Sequence, residues 1–310
     1  MPTLIECVPN FSEGRDRDKV EQIAATIETG KGVRLLDLHM DPDHNRSVMT
    51  VVGEPEKVAE AVLRSVGQAA ALIDLNRHHG EHPRIGAADV VPFVPVKGLT
   101  LEDCVPLARR VGEEIYRRFQ IPVYFYEAAA LRPERRDLAN VRRGGFEKLK
   151  IEVLFNPARC PDVGEPRLHP TAGATAVGAR PYLVAFNVNL NCSERKVAQE
   201  IARAIRFSGG GLPGVKAVGL LLRSRIFQSQ PGQAQVSINL TDIEKTSLPQ
   251  VFQAVLEEAA RLGTSVADTE LVGLIPRKAL AGATPESLQL SNFNSQKILE
   301  NRLAEISGDP

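Results

Sequence analysis

Apolar residues in the first part of the chain follow two spacings, one typical of strands and the other of helices. Unbroken apolar runs predict short strands at residues 3–8, 33–38, 47–53 and 122–127. Apolar residues three and four positions apart predict helices at residues 16–28, 55–73 and from Thr100 through Phe119. The run at 88–96 is extended and interrupted by proline, which cannot donate to a strand ladder, so we expect it at the edge or end of a sheet.

The pattern restarts after Arg180. It predicts strands at residues 181–190, 215–223, 233–240 and 269–275, and helices from a Ser193 cap to about Phe207 and over 248–262. The resulting order is strand-helix-strand-strand-helix-strand, which is the split βαβ arrangement. Residues 3–96 give the same order, so the chain is predicted to be an α/β (α+β) protein with two similarly built halves and a ligand cleft between them.

Residues 128–180 are the least regular part of the chain. They hold an arginine-rich piece between Arg132 and Arg143 and a Pro/Gly-rich piece from Asn156 to Gly178. A stretch of this length without clear periodicity is usually functional or a connection. We expect the arginine cluster to form a solvated face, as most surface charges do, and the alternative is that it attracts a polyglutamate tail.

The composition excludes several classes of protein. Lys plus Arg equals Asp plus Glu at 38 each, so neither a nucleic acid nor a membrane surface is expected as the main partner. The four cysteines form no CxxC pair, which argues against a zinc ribbon and suits a reducing compartment. No signal-peptide pattern opens the chain, and no apolar stretch approaches the roughly 20 residues that span a bilayer, so the predicted location is cytoplasmic.

The segment from His78 to Gly86 concentrates the groups that carry chemistry. It contains three of the six histidines of the chain together with a carboxylate and an arginine. His78 and His82 are four residues apart, as in a helical zinc pair. Gly80 and Pro83 disfavour the helix that would bring the two rings to one face, so we expect no metal site here.

Two other hypotheses fit the same segment. In the first, His82 transfers protons in acid–base catalysis, with Glu81 orienting it and Arg84 holding an anion. In the second, the segment is a polar surface loop whose histidines only form hydrogen bonds. Spacing by itself does not choose between these hypotheses.

Several stretches of the chain resemble the glutamate formimidoyltransferases. They are Glu6–Gly14 (ECVPNFSEG), Asp43–Val48 (DHNRSV), Gly80–Gly86 (GEHPRIG), Pro92–Pro95 (PFVP), Pro122–Tyr126 (PVYFY), Gly173–Thr175 (GAT), Gly178–Arg180 (GAR) and Ala185–Asn189 (AFNVN). The likeness extends over about residues 3–280 in the same order, which a chance match to one motif would not do.

The resemblance implies a fold and a site. It implies two subdomains, at 1–178 and 179–310, whose sheets pack together around a tunnel for folate, and it implies a homodimer. It also implies that His82 is the catalytic histidine. The family's folate-binding stretch falls here on Gly164, Glu165, Pro166, Arg167, Leu168, His169, Pro170, Thr171, Ala172 and Gly173.

The resemblance also implies a reaction. A formimino group would pass from N-formimino-L-glutamate to N5 of tetrahydrofolate, the co-substrate, with no metal. Cationic clamps and a carboxylate beside the amidine suit these substrates. The substrate-binding candidates are Asn10, Glu13, Arg46, Glu81, Arg84 and Arg180, with Asp37 as a further carboxylate.

Two alternatives stay open. One is formyl transfer between formylglutamate and tetrahydrofolate, or handling of 5-formyltetrahydrofolate, and the other is a non-catalytic folate-binding protein. In animals the resembling domain is fused to a cyclodeaminase, for which 310 residues are too few. A separate cyclodeaminase is therefore expected downstream.

Overall fold

The computed structural model describes residues 3–227 and 230–307, and the chain divides into two compact units between Pro181 and Tyr182. Each unit has its own β-sheet, its own helices and its own hydrophobic core. The predicted α/β fold with two sheets is confirmed. The packing of one sheet on the other and the folate tunnel stay predictions.

The first unit contains a seven-stranded mixed sheet. Its strands are β1 (Leu4–Cys7), β2 (Asn10–Phe11), β3 (Val33–Asp41), β4 (Arg46–Gly53), β5 (Ala88–Lys97), β6 (Val123–Glu127) and β7 (Thr175–Ala179). Across the sheet the order is β3, β4, then β1 and β2 end to end, then β5, β7 and β6. β7 pairs in parallel with β5 and β6, and the other pairs are antiparallel.

Five helices accompany this sheet in the described part of the first unit. They are α1 (Arg17–Glu28), α2 (Pro55–Leu72), α3 (Leu101–Phe119), α4 (Leu138–Val141) and α5 (Gly145–Glu152). The predicted cap of α3 is confirmed, since Thr100 and Asp103 form a capping box. Buried residues of α1, α2 and α3 share one core with Ile5 and Cys7 of β1. Ile5 and Cys7 lie on one face of β1, and Glu6 between them lies on the other face.

The second unit has the predicted strand-helix-strand-strand-helix-strand order. Its elements are β8 (Val184–Leu190), α6 (Arg195–Ile205), β9 (Val215–Phe227), β10 (Gln230–Leu240), α7 (Leu248–Arg261), β11 (Val266–Val272) and a final helix α8 (Leu299–Ser307). The four strands lie antiparallel in the order β11, β8, β10, β9. In the core, the ring of Phe186 on β8 meets that of Phe252 on α7 edge to face, with 6.2 Å between centroids.

The prediction that residues 88–96 form an edge strand is wrong. β5 is an interior strand that pairs with β1 and β2 on one side and with β7 on the other. The sheet tolerates its prolines because Pro92 lies opposite the break between β1 and β2, and Pro95 lies beyond the residues that pair with β7.

Residues 128–180 contain α4, α5 and the buried strand β7, whose small residues give little hydrophobic signal. Two other local predictions need correction. α6 begins at Arg195 after Glu194, so Ser193 is not its N-cap residue. β11 begins at Val266, three residues before the predicted start at 269. Of the helices in residues 3–227 and 230–307, none combines the length and apolarity needed to cross a bilayer.

Candidate active site

The turn between β3 and β4 holds the histidine loop in place. Asn45, in the left-handed region with φ of 47°, donates from its side-chain amide to the carbonyl of His79 (3.0 Å). Its amide oxygen accepts from the backbone of Gly14 (3.0 Å), at the loop that follows β2. Glu81 adds a backbone bond to the carbonyl of Asp43 (3.1 Å). Three separate stretches of sequence therefore meet at this turn.

His78 is a structural residue of this loop. Its ring is buried, Nε2 lies 2.8 Å from the carbonyl of Asn45, and Nδ1 accepts from Nε of Arg84 at 2.8 Å. Because a carbonyl can only accept, Nε2 must carry the proton. Burial lowers the pKa of His78. Both ring nitrogens are occupied by the protein, which leaves none for a metal.

Arg84 joins the loop to α5. Its guanidinium donates to both carboxylate oxygens of Glu147, at 2.8 and 3.0 Å, and also to the carbonyl of His78 at 2.9 Å. With the bond to the His78 ring, four of its five N–H groups are engaged. The role of Arg84 in binding an anion stays a prediction. Its contacts within the protein connect the histidine loop to α5.

His82 presents one fixed nitrogen and one reactive nitrogen. Nδ1 lies 2.8 Å from the carbonyl of Pro83, so it carries the proton in the neutral ring. Nε2 is then the basic atom, and it accepts from Nη1 of Arg46 at 2.5 Å. The ring also stacks on that of His44, with 5.9 Å between centroids and 29° between planes.

The surroundings of His82 keep its ring neutral. Burial is the largest cause that lowers the pKa of His82, followed by the positive charges of Arg46 and Arg142 and by His44. The hydrogen bond to Pro83 acts in the opposite direction. Burial also lowers the pKa of Arg46, to about 9, which still leaves the guanidinium charged at neutral pH.

A buried ion pair lies behind Arg46 and His82. Arg142, next to α4, donates to one carboxylate oxygen of Asp89 on β5, and the other oxygen accepts from the backbone of Ile85 (2.7 Å). The Arg142 side chain is 12% exposed and that of Asp89 is 4% exposed. The prediction of a solvated arginine face is wrong for Arg142, and it is wrong for Arg135, which is buried against Asp162.

These side chains surround a small cleft in the first unit. It is lined by Phe11, Ser12, His44, Asn45, Arg46, His78, His82, Arg84 and Asp89. Its enclosed space is far smaller than that of sites that enclose drug-sized ligands, so it suits one small functional group and not a whole folate. In residues 3–227 and 230–307 no group of three or more His, Cys, Asp or Glu is placed to hold a metal ion.

The stretch from Gly164 to Gly173 reaches the histidine loop. Its first residues, through Arg167, are exposed. Its last residues run beside residues 85–87: Ala87 donates to the carbonyl of Ala172 and Ala174 donates to that of Ile85, each at 2.9 Å. Gly86 has to be glycine here, because a Cβ would lie 1.9 Å from the carbonyl oxygen of Ala174. The stretch is therefore part of the wall around the loop, within the first unit.

Comparison with known proteins identifies the class of the chain. The formiminotransferase domain, N-terminal subdomain, matches residues 4–180, and the formiminotransferase domain matches residues 185–301. The chain belongs to the formiminotransferase family. It is an enzyme of the transferase class.

Individual relatives of this formiminotransferase are similar over most of its length. The glutamate formimidoyltransferase of Streptococcus pyogenes serotype M1 is 46% identical over 304 residues, which cover 98% of this chain and 99% of the relative. That of Thermoplasma acidophilum is 44% identical over 307 residues, with the same coverage. The formimidoyltransferase-cyclodeaminase of Sus scrofa is 42% identical over 289 residues, which cover 91% of this chain but 52% of the relative.

The remaining substrate-binding candidates of the formiminotransferase lie outside the lining of the small cleft. Asn10 donates to the carbonyl of Val8 (2.7 Å), and Glu13 accepts from the backbone of Arg15 and Asp16, each at 3.0 Å. Arg180 is buried and donates to the carbonyl of Pro181 (3.0 Å). Their roles toward substrate stay predictions, as does that of Glu81.

Sequence reasoning missed two acidic residues of this enzyme. The sequence pattern places Asp89 in the extended run 88–96, away from the predicted site, and Glu6 in the stretch Glu6–Gly14 without a role of its own. Glu6 is fully buried on β1, and neither carboxylate oxygen has a hydrogen-bond partner among the described residues. Burial raises its pKa to about 7, against the opposing effect of Arg180. The signal available in the sequence was a carboxylate inside an apolar strand, which needs a buried partner or a function.

Proposed function

We propose that the enzyme transfers the formimino group from N-formimino-L-glutamate to N5 of tetrahydrofolate, with His82 as the proton carrier. The observation that carries this proposal is the state of the His82 ring. Its Nδ1–H is fixed on the carbonyl of Pro83 and its pKa is lowered, so the ring is neutral and Nε2, which contacts Arg46 at the small cleft, is its basic atom.

The proposed reaction moves one proton between two nitrogens. The amidine of the donor is protonated near neutral pH, and N5 attacks its carbon, so that an N5–C bond forms in a tetrahedral intermediate. Nε2 of His82 takes the proton from N5 and returns it to the glutamate nitrogen, whose bond to the carbon then breaks. The products are 5-formiminotetrahydrofolate and L-glutamate, and the His82 ring is neutral again.

The names of the relatives support the donor half of this proposal, because two of them are called glutamate formimidoyltransferase. For the folate half, the support is that residues 172–174 pair with residues 85–87 at the end of the histidine loop. We propose that Gly164–Gly173 contacts tetrahydrofolate, with one end of the ligand at the cleft and the rest outside it. Arg46 is the cation closest to the proposed reaction, since it contacts His82 itself.

A turnover assay with two donors tests the proposal. With tetrahydrofolate as acceptor, we expect formiminoglutamate to react far faster than formylglutamate. We expect His82→Ala to lower kcat by about 10²–10⁴-fold, as loss of a general acid–base residue does, without weakening tetrahydrofolate binding. His79→Ala is the matched control, because His79 is exposed in the same loop, and its activity should be close to that of the wild type.

Each alternative has its own outcome in this assay. Faster turnover of formylglutamate would favour formyl transfer, and tetrahydrofolate binding without turnover of either donor would favour a non-catalytic folate-binding protein. A His82→Ala enzyme with near-normal kcat would remove His82 from the mechanism while leaving the substrates in place.

The cellular setting is also proposed. We propose a homodimer in the cytoplasm that uses tetrahydrofolate as co-substrate and no metal. The Sus scrofa relative includes cyclodeaminase in its name, and this chain spans about half of its length. We propose that a cyclodeaminase acts on the product of this enzyme.

A further inference from the structure

The basic nitrogen of His82 is covered in the structure described here. Nη1 of Arg46 donates to Nε2 at 2.5 Å, and the second ring nitrogen already donates to Pro83. A ring that takes a proton on Nε2 has no lone pair left for an arginine N–H, and the new N–H would point at a cation. Arg46 must therefore leave Nε2 before, or while, His82 takes a proton.

The carboxylates near Arg46, those of Asp89 and Asp41, already accept hydrogen bonds from other groups of the protein. Among the ion pairs of residues 3–227 and 230–307 none includes Arg46, and its buried Nε has no hydrogen-bond partner in that part of the chain. Asp89 is engaged by Arg142 and by the backbone of Ile85. One oxygen of Asp41, the register partner of Arg46, accepts from the backbone of His44 (2.8 Å).

We propose that Arg46 is a substrate-controlled gate on His82. In the free enzyme Arg46 donates to Nε2, and in the donor complex it moves to a carboxylate of the bound donor, which uncovers Nε2 for proton transfer. This inference rests on the proposed function, which supplies a donor with two carboxylates. A carboxylate accepts a bidentate guanidinium pair, which is stronger than the single bond to a neutral imidazole that it replaces.

The exchange also changes the charge that His82 experiences. Arg46 from β4, Arg142 from the α4 segment and His44 from the β3–β4 turn all lower the pKa of His82, and the Pro83 carbonyl raises it. Arg46 is itself faced by Arg142, Asp89, Asp41 and Tyr126. When a substrate carboxylate neutralises Arg46, the second-largest cause of the low pKa is removed. The pKa of His82 then rises toward 6.5, where a histidine transfers protons efficiently at neutral pH.

The test is an NMR titration of His82 that involves no turnover. The histidine rings are ¹³C-labelled, and His82→Gln assigns the signal. The probe is N-formyl-L-glutamate without folate, which carries both carboxylates of the donor. We expect saturation with the probe to raise the His82 pKa by about one unit or more in the wild type, as expected when a neighbouring charge is neutralised.

Arg46 variants then test the cause. Arg46→Gln should raise the His82 pKa in the absence of the probe, weaken probe binding and abolish the probe-dependent shift. Arg46→Lys keeps the charge and should retain part of both the binding and the shift. Arg143→Gln removes an exposed cation next to Arg142 that bonds to Asn140, and it should behave as the wild type.

Three results would overturn the gate. One is a wild-type enzyme that binds the probe with no change in the His82 pKa. Another is a wild-type enzyme that does not bind the probe at millimolar concentration, and the third is an Arg46→Gln enzyme that keeps the full shift. If Arg46→Gln does not fold, Arg46→Lys with an unchanged shift and no loss of probe affinity overturns it instead. Failure of the proposed function would show as undiminished turnover in His82→Ala, which is a separate measurement.

Discussion

Asp89→Asn tests whether the buried ion pair behind the cleft stabilises the first unit. The Asp89 side chain is 4% exposed and accepts from Arg142 through one oxygen and from Ile85 through the other. Asparagine keeps the shape and an acceptor for Ile85, but it removes the charge opposite Arg142. The variant therefore leaves the largely buried guanidinium of Arg142 without its counter-ion, and Arg46 nearby loses a compensating charge as well.

The expected cost follows from the burial of both partners. Removing one partner of a buried ion pair typically destabilises a protein by about 3–5 kcal/mol, because the charge that remains is buried and uncompensated. Asp89→Asn combined with Arg142→Met removes both charges, and we expect it to recover a large part of that loss. By contrast, Nη2 of Arg110 donates to both carboxylate oxygens of Glu56, and the side chains of Glu56 and Arg110 are 73% and 52% exposed, so Glu56→Gln should cost less than about 1 kcal/mol.

Urea unfolding followed by far-UV circular dichroism measures these differences, since the chain has no tryptophan for fluorescence. The four proteins to compare are the wild type, Asp89→Asn, the double variant and Glu56→Gln. The reasoning is refuted if Asp89→Asn is no less stable than Glu56→Gln, or if the double variant is less stable than Asp89→Asn alone.

Three further predictions concern pH, packing and metal. Burial lowers the pKa of His78 and His82 in the folded protein, so the stability that their neutral rings contribute is complete above the unfolded pKa of about 6.5 and is lost as pH falls toward the folded pKa. Urea midpoints should fall from pH 7 to pH 5, and less steeply in His82→Gln. Gly86→Ala should separate residues 85–87 from 172–174, costing about 1–3 kcal/mol with a larger loss of activity. Activity should survive exhaustive chelation, because both nitrogens of His78 are used by the protein.

Each of these has a result that would contradict it. If the urea midpoint of His82→Gln fell from pH 7 to pH 5 as steeply as that of the wild type, the His82 ring would not be the group that titrates. Gly30→Ala is the control for Gly86→Ala, because both add a methyl group, but the nearest atom to the added Cβ at Gly30 is the side-chain nitrogen Nη2 of Arg64 at 3.0 Å, and the next lie at 3.7 Å. Equal losses in the two variants would exclude crowding as the cause. Activity that disappears with EDTA and returns with zinc would reverse the assignment of the histidine loop.

Helices and strands with strong hydrophobic periodicity could be predicted from the sequence. Strands whose existence or position in the sheet depends on the adjacent strands could not. α3 was predicted with its cap because Thr100, Asp103 and the apolar spacing are local signals. β7 was missed because its residues are small, and it becomes a strand by lying between β5 and β6. The edge position of β5 was predicted from its prolines, but only the arrangement of β1, β2 and β7 around it determines where a missing N–H is tolerated.

The sequence by itself determined the order of the strongly periodic elements through local spacing, and the family and the choice of His82 through motifs. Only the tertiary structure decided what each polar side chain contacts. In the structure, His78 and Arg84 bond to each other and hold the histidine loop. Arg142, which was predicted at the surface, forms a buried ion pair with Asp89, and Arg46 donates to the basic nitrogen of His82. These contacts join residues up to 63 positions apart, as from Arg84 to Glu147. The protonation state of a histidine depends on burial and on charges brought close by folding, which the order of residues does not specify.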